Sequence, residues 1–255
     1  MLLADFHIHT RWSDGRLEMG EVVDMFGQSG HDVIAITDHV VNTDCLLGKA
    51  AHGLRHTLTP EVFPEYLDQV EREARRAWDR YRMVVIPGVE LTRNGLTRDT
   101  SAHVLALGVE AFLSANGGIG AMLDRAAGSG AAVVACHPHE MSEWFQNTFY
   151  LWNRRKQVDH QIHRWELACR WDLFPPVARA RLPIIGNSDF HDRPHLYAWK
   201  TLLDCDLRAT AVLEALKSPR ELGVTMLPQP AAAKESLHER LPGPAARAHV
   251  SAAIA

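Results

Sequence analysis

The sequence predicts a parallel α/β architecture. Short apolar runs alternate with amphipathic helical patterns, as strand–helix–strand units do. In the clearest stretch, Asp32-Val33-Ile34-Ala35-Ile36-Thr37-Asp38-His39, the apolar run is continuous rather than alternating, as in a parallel strand covered on both faces. Six of seven such runs also place a His, Asp or Glu at or near one end. In barrels of this class, chemistry sits at the C-terminal ends of the strands.

The first run, residues 3–14, leads into His7, His9 and Asp14. Strand residues i and i+2 point the same way, so His7 and His9 can reach one metal ion side by side. Ser13-Asp14-Gly15 has turn chemistry and keeps Asp14 within one tight loop. Residues 17–30 carry apolar positions 19, 22, 23 and 26 at helical spacing, with Gly30 at the C-terminal end. The second run, 32–39, ends in Asp38 and His39. Residues 40–58 read as a loop. A helix follows over 60–81, with Thr59 as cap, Pro60 in the first turn and Glu61 at the positive end. Phe63, Tyr66, Leu67, Val70, Ala74 and Trp78 form its apolar face.

Residues 83–92 form the third run and deliver Glu90. Residues 102–108 form the fourth, with His103 near its start, an irregular place for a residue at a barrel mouth. A helix over 119–130 precedes the fifth run, 131–139, which delivers His137 and His139. Residues 140–165 gather Trp144, Phe145, Phe149, Tyr150 and Trp152; they suit a lid or pocket wall, or an ordinary packed subdomain. The long segment 40–82 is a second candidate wall. The sixth run is 164–168 and the seventh, 182–191, delivers Asp189 and His191. Residues 200–203 suit a last strand and 209–217 a helix. One domain is expected over 1–227. From Pro228 the chain is Ala/Pro-rich without apolar period, so 228–255 reads as a disordered or loosely docked tail.

The 255 residues, 46% hydrophobic and 23% charged, are enough for one large domain or a barrel. A net charge of -4 without a basic block argues against gripping extended nucleic acid through its phosphates. No stretch approaches the ~18 apolar residues of a membrane span, and the first residues lack the basic n-region of a signal peptide. Cys45, Cys136, Cys169 and Cys205 show no C-x-x-C spacing and read as reduced thiols, so a cytoplasmic location is expected.

Each polar residue at a strand end alone has an ordinary explanation: a hydrogen-bonded histidine, a cap or a turn. Nine together do not: His7, His9, Asp14, His39, Glu90, His103, His137, Asp189 and His191. Imidazole and carboxylate without cysteine suit Zn²⁺, Mn²⁺ or Fe²⁺, with Mg²⁺ a further candidate. Nine donors exceed what one ion takes, so several metals are expected.

These pieces resemble the polymerase and histidinol phosphatase (PHP) family. The matching stretches are Asp5-Phe6-His7-Ile8-His9-Thr10 with Ser13-Asp14-Gly15, Ala35-Ile36-Thr37-Asp38-His39, Pro87-Gly88-Val89-Glu90, His103 before Val104-Leu105-Ala106-Leu107-Gly108, Cys136-His137-Pro138, and Asn187-Ser188-Asp189-Phe190-His191. They keep the motif order over residues 3–203. The resemblance implies a distorted, TIM-like (β/α)7 barrel with a trinuclear metal centre. It assigns His7, His9, Glu90 and Asp189 to the first metal. Glu90 bridges to a second, held with His103 and His137. Asp14, His39 and His191 hold the third. Asp14, Glu90, Asp189 and His191 are the candidate catalytic residues. Two departures concern the pocket walls: only about 30 residues separate His103 from His137, whereas segment 40–82 is long.

The leading expectation is hydrolysis of a small phosphomonoester by a metal-activated hydroxide, with the metals neutralising charge on the phosphoryl oxygens. Phosphate anchors must be cationic. Arg11 and His139 are preferred over Arg93, Arg98, Arg193, His195 and Lys200, which also lie near strand ends. The rivals are a phosphodiesterase or exonuclease on nucleotides or oligonucleotides, a metal-dependent hydrolase of a C–N or C–O bond, and a non-catalytic metal-binding module. The complete donor set argues against the last.

Overall fold

The structure is a computed structural model that describes residues 1–54, 56–138 and 149–229, apart from the Arg98 side chain. The chain runs β1 (Leu2–Asp5), α1 (Met19–Gln28), β2 (Val33–Ile36), β3 (His39–Val41), α2 (Leu46–Gly53), α3 (Phe63–Tyr81), β4 (Val84–Arg93) and β5 (Ala102–Leu107). It continues with α4 (Gly118–Gly128), β6 (Ala132–Ala135), the short helices α5 (Phe149–Asn153) and α6 (Arg155–Val158), β7 (Arg164–Cys169), β8 (Asp172–Leu173) and α7 (Pro175–Arg179). It ends with β9 (Ile184–Asn187), β10 (Trp199–Leu203), α8 (Ala209–Lys217) and β11 (Gly223–Met226).

Seven strands form a ring in the order β1-β2-β4-β5-β6-β7-β9. The last joint is a bridge between the extensions of β1 and β9. His9 N–H donates to Phe190 O at 2.8 Å and Phe190 N–H to His7 O at 2.9 Å. The fold is thus the expected distorted α/β barrel. Its distortion is specific: β5 runs antiparallel to both β4 and β6. The start of β5 therefore lies at the mouth, where the other strands end. This explains why His103, at the beginning of its run, stands among residues from strand ends.

Side-chain alternation sorts the ring into two layers. Val33, Ala35, Ile86, Leu105, Val134 and Ile185 pack in one cluster with Val212 and Leu216 of α8. Ile34, Ile36, Val85, Val89, Val104 and Ala106 pack in the other, with the buried faces of α1, α3 and α4. Glu90 and His103 continue the faces of Ile86 and Leu105, so the first layer's polar end is the mouth.

Several expectations need correction. Segment 40–58 is not all loop, since it holds most of β3 and all of α2. Helix α3 starts at Phe63 with Pro64 in its first turn, and its N-cap is Val62 rather than Thr59. Trp78 is 41% exposed beneath the Arg82 guanidinium rather than in the core, and Ala77 takes the buried position. The short strand β11, which pairs with β10, has no counterpart in the sequence reading. Residues 140–148 and the tail from 230 lie outside the described residues; within 149–165, only Leu151 of α5 and α6 is buried. No helix among the described residues is long and apolar enough to cross a membrane.

Candidate metal centre

The mouth gathers all nine anticipated donors into three overlapping groups. His7 Nε2 and His9 Nε2 lie 3.3 and 3.2 Å from Glu90 Oε2, and 3.4 and 3.5 Å from Asp189 Oδ1. On its other side Glu90 presents Oε1 to His103 Nδ1 at 2.8 Å and to His137 Nε2 at 3.5 Å. Asp14 Oδ1 faces His191 Nε2 at 3.3 Å and His39 Nε2 at 3.5 Å. His9 Nδ1, 3.9 Å from Asp14, joins this third group to the first. His7 Nε2, both ring nitrogens of His9 and Glu90 Oε2 are buried without a hydrogen-bond partner. Such atoms are costly in a folded interior unless something charged sits between them. A convergent set of unpartnered nitrogen and oxygen donors is what divalent metals take, so the residues fit the implied ions.

Residues behind the donors aim them. Glu166, wholly buried in β7, accepts from His7 Nδ1 at 2.9 Å and leaves Nε2 for a metal. Its carboxylate also accepts from Asn187 Nδ2 at 2.9 Å and from His137 N–H at 2.6 Å. Arg170 Nη2 pairs with Asp189 Oδ2 at 2.9 Å. His191 Nδ1 bonds the Asp189 carbonyl at 2.9 Å, which directs Nε2 to Asp14. His103 Nε2 meets Asn94 Oδ1 at 2.9 Å, so Nδ1 faces Glu90. Asn94 also lines a cavity of about 370 Å³ walled by Asp44, Cys45, Leu46 and Leu47 opposite Arg93, Leu96 and Thr97. Asp38 is no ligand. It accepts from Thr10 N–H, Thr10 Oγ1 and Ser13 Oγ at 2.6–2.8 Å and pins the loop that carries Asp14.

The electrostatics follow from this packing. Burial opposes ionisation of Glu90, yet the imidazoles of His39, His7 and His103 hold its carboxyl well below the usual range. Burial likewise opposes ionisation of Asp189, and Arg170, His191 and His7 reverse it. Against burial, Glu90, Glu166 and Asp189 raise His7, while Glu90 and Asp14 raise His39 to about 9. In the metal-free chain, protons on these rings balance the carboxylates; a bound cation displaces them.

The anticipated phosphate anchors are less central. Arg11 is 64% exposed beside Glu18 at 3.4 Å, with no described contact to the histidines. His139 lies outside the described residues. Lys200 is buried against Asp5 at 3.0 Å, and Arg193 pairs with Glu21 on the surface. Burial, followed by Arg170, lowers His195 to about 4; its Nδ1 accepts from His191 N–H at 3.0 Å. Sequence reasoning missed Glu166, Arg170 and Asn94. Glu166 did leave a signal, since it is a lone carboxylate inside the apolar sixth run.

No protein-family model matches the chain, and no curated protein matches it at a significant level. Solved structures do. One is a two-domain protein from Bacteroides vulgatus ATCC 8482 containing a predicted PHP-like metal-dependent phosphoesterase. It aligns at TM-score 0.63 and 20% identity over 89% of this chain and 65% of that one, so the present chain spans about 65% of that protein's length. A candidate metal-dependent phosphoesterase from Bifidobacterium adolescentis aligns at TM-score 0.47 and 13% identity, over 94% of this chain and 96% of that one. An amidohydrolase from Chromobacterium violaceum with bound sulfate aligns at 0.48 and 16% identity, over 74% and 87%. The PHP-like fold that the motif order implies is the fold of this chain.

Proposed function

We propose that the chain is a metal-dependent phosphoesterase that hydrolyses a small phosphomonoester at a centre of three divalent ions, Zn²⁺, Mn²⁺, Fe²⁺ or Mg²⁺. The reading rests on the convergence at Glu90: His7 Nε2 and His9 Nε2, both buried without a hydrogen-bond partner, stand at one oxygen with Asp189 beside them, and His103 and His137 stand at the other. When bound, divalent ions lower the pKa of water and neutralise charge on a phosphoryl group.

The chain's own residues do the rest. Glu90, with His7 and His9 at one oxygen and His103 and His137 at the other, would hold two of the ions. Asp14 is the most open carboxylate of the set, at 37% exposure, and with His39 and His191 it would hold the third ion on the side nearest solvent. Asp189 is held ionised by Arg170 and needs no proton from substrate. Arg11 and His139 serve as phosphate anchors. The Arg11–Glu18 pair is exposed and weak, which leaves the guanidinium available to a phosphate dianion. Replacing Arg11 by Ala should raise KM or lower kcat/KM without loss of metal; unchanged kinetics reject that role.

A panel of Zn²⁺, Mn²⁺, Fe²⁺ and Mg²⁺ against phosphomonoesters, phosphodiesters and amides tests the reaction. Turnover of monoesters is expected. Turnover of only diesters or only amides replaces the proposal by the corresponding rival. Metal analysis of the native chain should approach three ions, and a reproducible value near one refutes the trinuclear centre.

A further inference from the structure

Strand β7 supplies none of the nine donors, yet two charged residues on and just beyond it touch four of them. Glu166 accepts from His7 Nδ1 and from the backbone N–H of His137. These belong to the first and second metal positions. Arg170 donates to Asp189 twice, from Nη2 to Oδ2 at 2.9 Å and from Nε to the backbone carbonyl at 3.3 Å. It also packs Nη2 3.1 Å from His191 Nδ1. These belong to the first and third positions.

An independent feature of the backbone points the same way. Among the nine donors, only His137 and Asp189 have positive φ, at 24° and 46°. That region is unfavourable for a residue with a Cβ and persists only where neighbours enforce it. Each of these two residues is gripped at its own main chain by one of the two charges: His137 N–H by Glu166, Asp189 C=O by Arg170. Glu166 is itself pinned by Asn187, whose Oδ1 accepts from Phe6 N–H in the chain leading to His7.

We infer that Glu166 and Arg170 are positioning residues that couple the three metal positions: Glu166 ties the first to the second, Arg170 the first to the third. The inference rests on the three-metal reading above. An orienting partner behind a ligand is worth 10–100-fold in metal affinity. Glu166→Gln keeps the shape but turns one acceptor into a donor facing a donor. It should weaken the first and second positions by that factor and spare the third. Arg170→Gln should weaken the first and third and spare the second.

The test is calorimetric titration of the metal-stripped full chain with Zn²⁺, with thermal melting of each variant alongside. The wild type should take up three equivalents; uptake of one or none refutes the three-metal reading itself, before any variant is compared. In Glu166→Gln, one tight equivalent should remain. Adding His39→Ala should abolish it, while adding His103→Ala should not. In Arg170→Gln the pattern reverses: His103→Ala abolishes the remaining tight site and His39→Ala does not. A purely structural role would weaken all three positions together, or lower the melting temperature with all affinities intact; either result overturns the inference. Should Glu166→Gln fail to fold, Glu166→Asp takes its place with the same expectation. The Arg170 arm, on a side chain 24% exposed, stands by itself: wild-type affinity at all three positions there overturns the coupling.

Discussion

His31 gives the chain a pH dependence that its structure makes quantitative. The residue follows α1 and is 3% exposed. Its ring meets Phe26 edge-on at 4.8 Å between centroids, its Nδ1 bonds Ser29 Oγ at 2.8 Å, and its Nε2 has no partner. Burial, reinforced by the Lys200 ammonium, pushes its pKa from 6.5 down to about 3. The folded chain therefore keeps His31 neutral where the unfolded chain protonates it. Below pH 6.5 the unfolded state binds the extra proton, so stability falls with acidification from there towards about pH 3. At 1.36 kcal/mol per pKa unit, this group alone costs about 2 kcal/mol between pH 7.5 and pH 5. Urea unfolding at both pH values, with chelator throughout, measures it for the wild type and for His31→Gln. Groups common to both proteins cancel in the difference. The stability gap between the two proteins should change by about 2 kcal/mol in favour of the variant at pH 5. Parallel pH profiles for the two proteins would refute the reasoning.

Other perturbations test other joints. Arg164, 1% exposed, donates to the carbonyls of Ala215, Leu216, Ser218 and Arg220 at 2.5–2.9 Å and closes the C-terminal end of α8. Arg164→Met leaves these carbonyls unmet and should cost about 3 kcal/mol, roughly a 10 °C fall in Tm by thermal melting. Asp38→Asn loosens the clamp on the Asp14 loop and should weaken the proposed third metal position about tenfold in a Zn²⁺ titration. If the chain carries three ions as proposed, Glu90→Gln disturbs both oxygens of their bridging residue, and elemental analysis should show metal content falling from three towards one per chain. A full complement in that variant would argue against Glu90 as the bridge.

Much of this centre was legible because residue type and strand ends carry the information. A continuous apolar run that stops at His or Asp announces both a buried strand and a donor at its end, and all nine anticipated residues meet at one mouth. Strand direction is a different matter. Apolar runs look the same in either sense, so the reversal of β5 left only the odd placement of His103 as its trace. Glu166 escaped because strand ends drew attention away from strand interiors, although a carboxylate amid Trp165 and Leu167 must be paired. Arg170 lies past the end of its run, where a charge ordinarily means solvent. The start of α3 was misplaced because Thr59-Pro60-Glu61 has good capping chemistry, while residues 60–62 form a turn and Pro64 opens the helix.

The reversed strand also bears on how such a pocket can be refitted. Loops at a barrel mouth ordinarily lead into a helix that must dock on the outside, so a change in loop length disturbs that docking. The turn over residues 94–101 instead joins two strands zipped by an antiparallel ladder from Gly88–Leu107 to Arg93–Ala102. It holds the 3₁₀ turn Arg98–Thr100 and is tied to α5 by Asn153 Nδ2 donating to Asp99 Oδ1 and Tyr150 N–H donating to Ser101 O, while one extra doubling of its length costs only about 0.6 kcal/mol in closure entropy. It also carries Asn94 and Leu96 along the cavity beside His103. Insertion into or exchange of this hairpin tip, with its bonds to α5 kept, is thus a route to a new substrate range that leaves the donors below it in register.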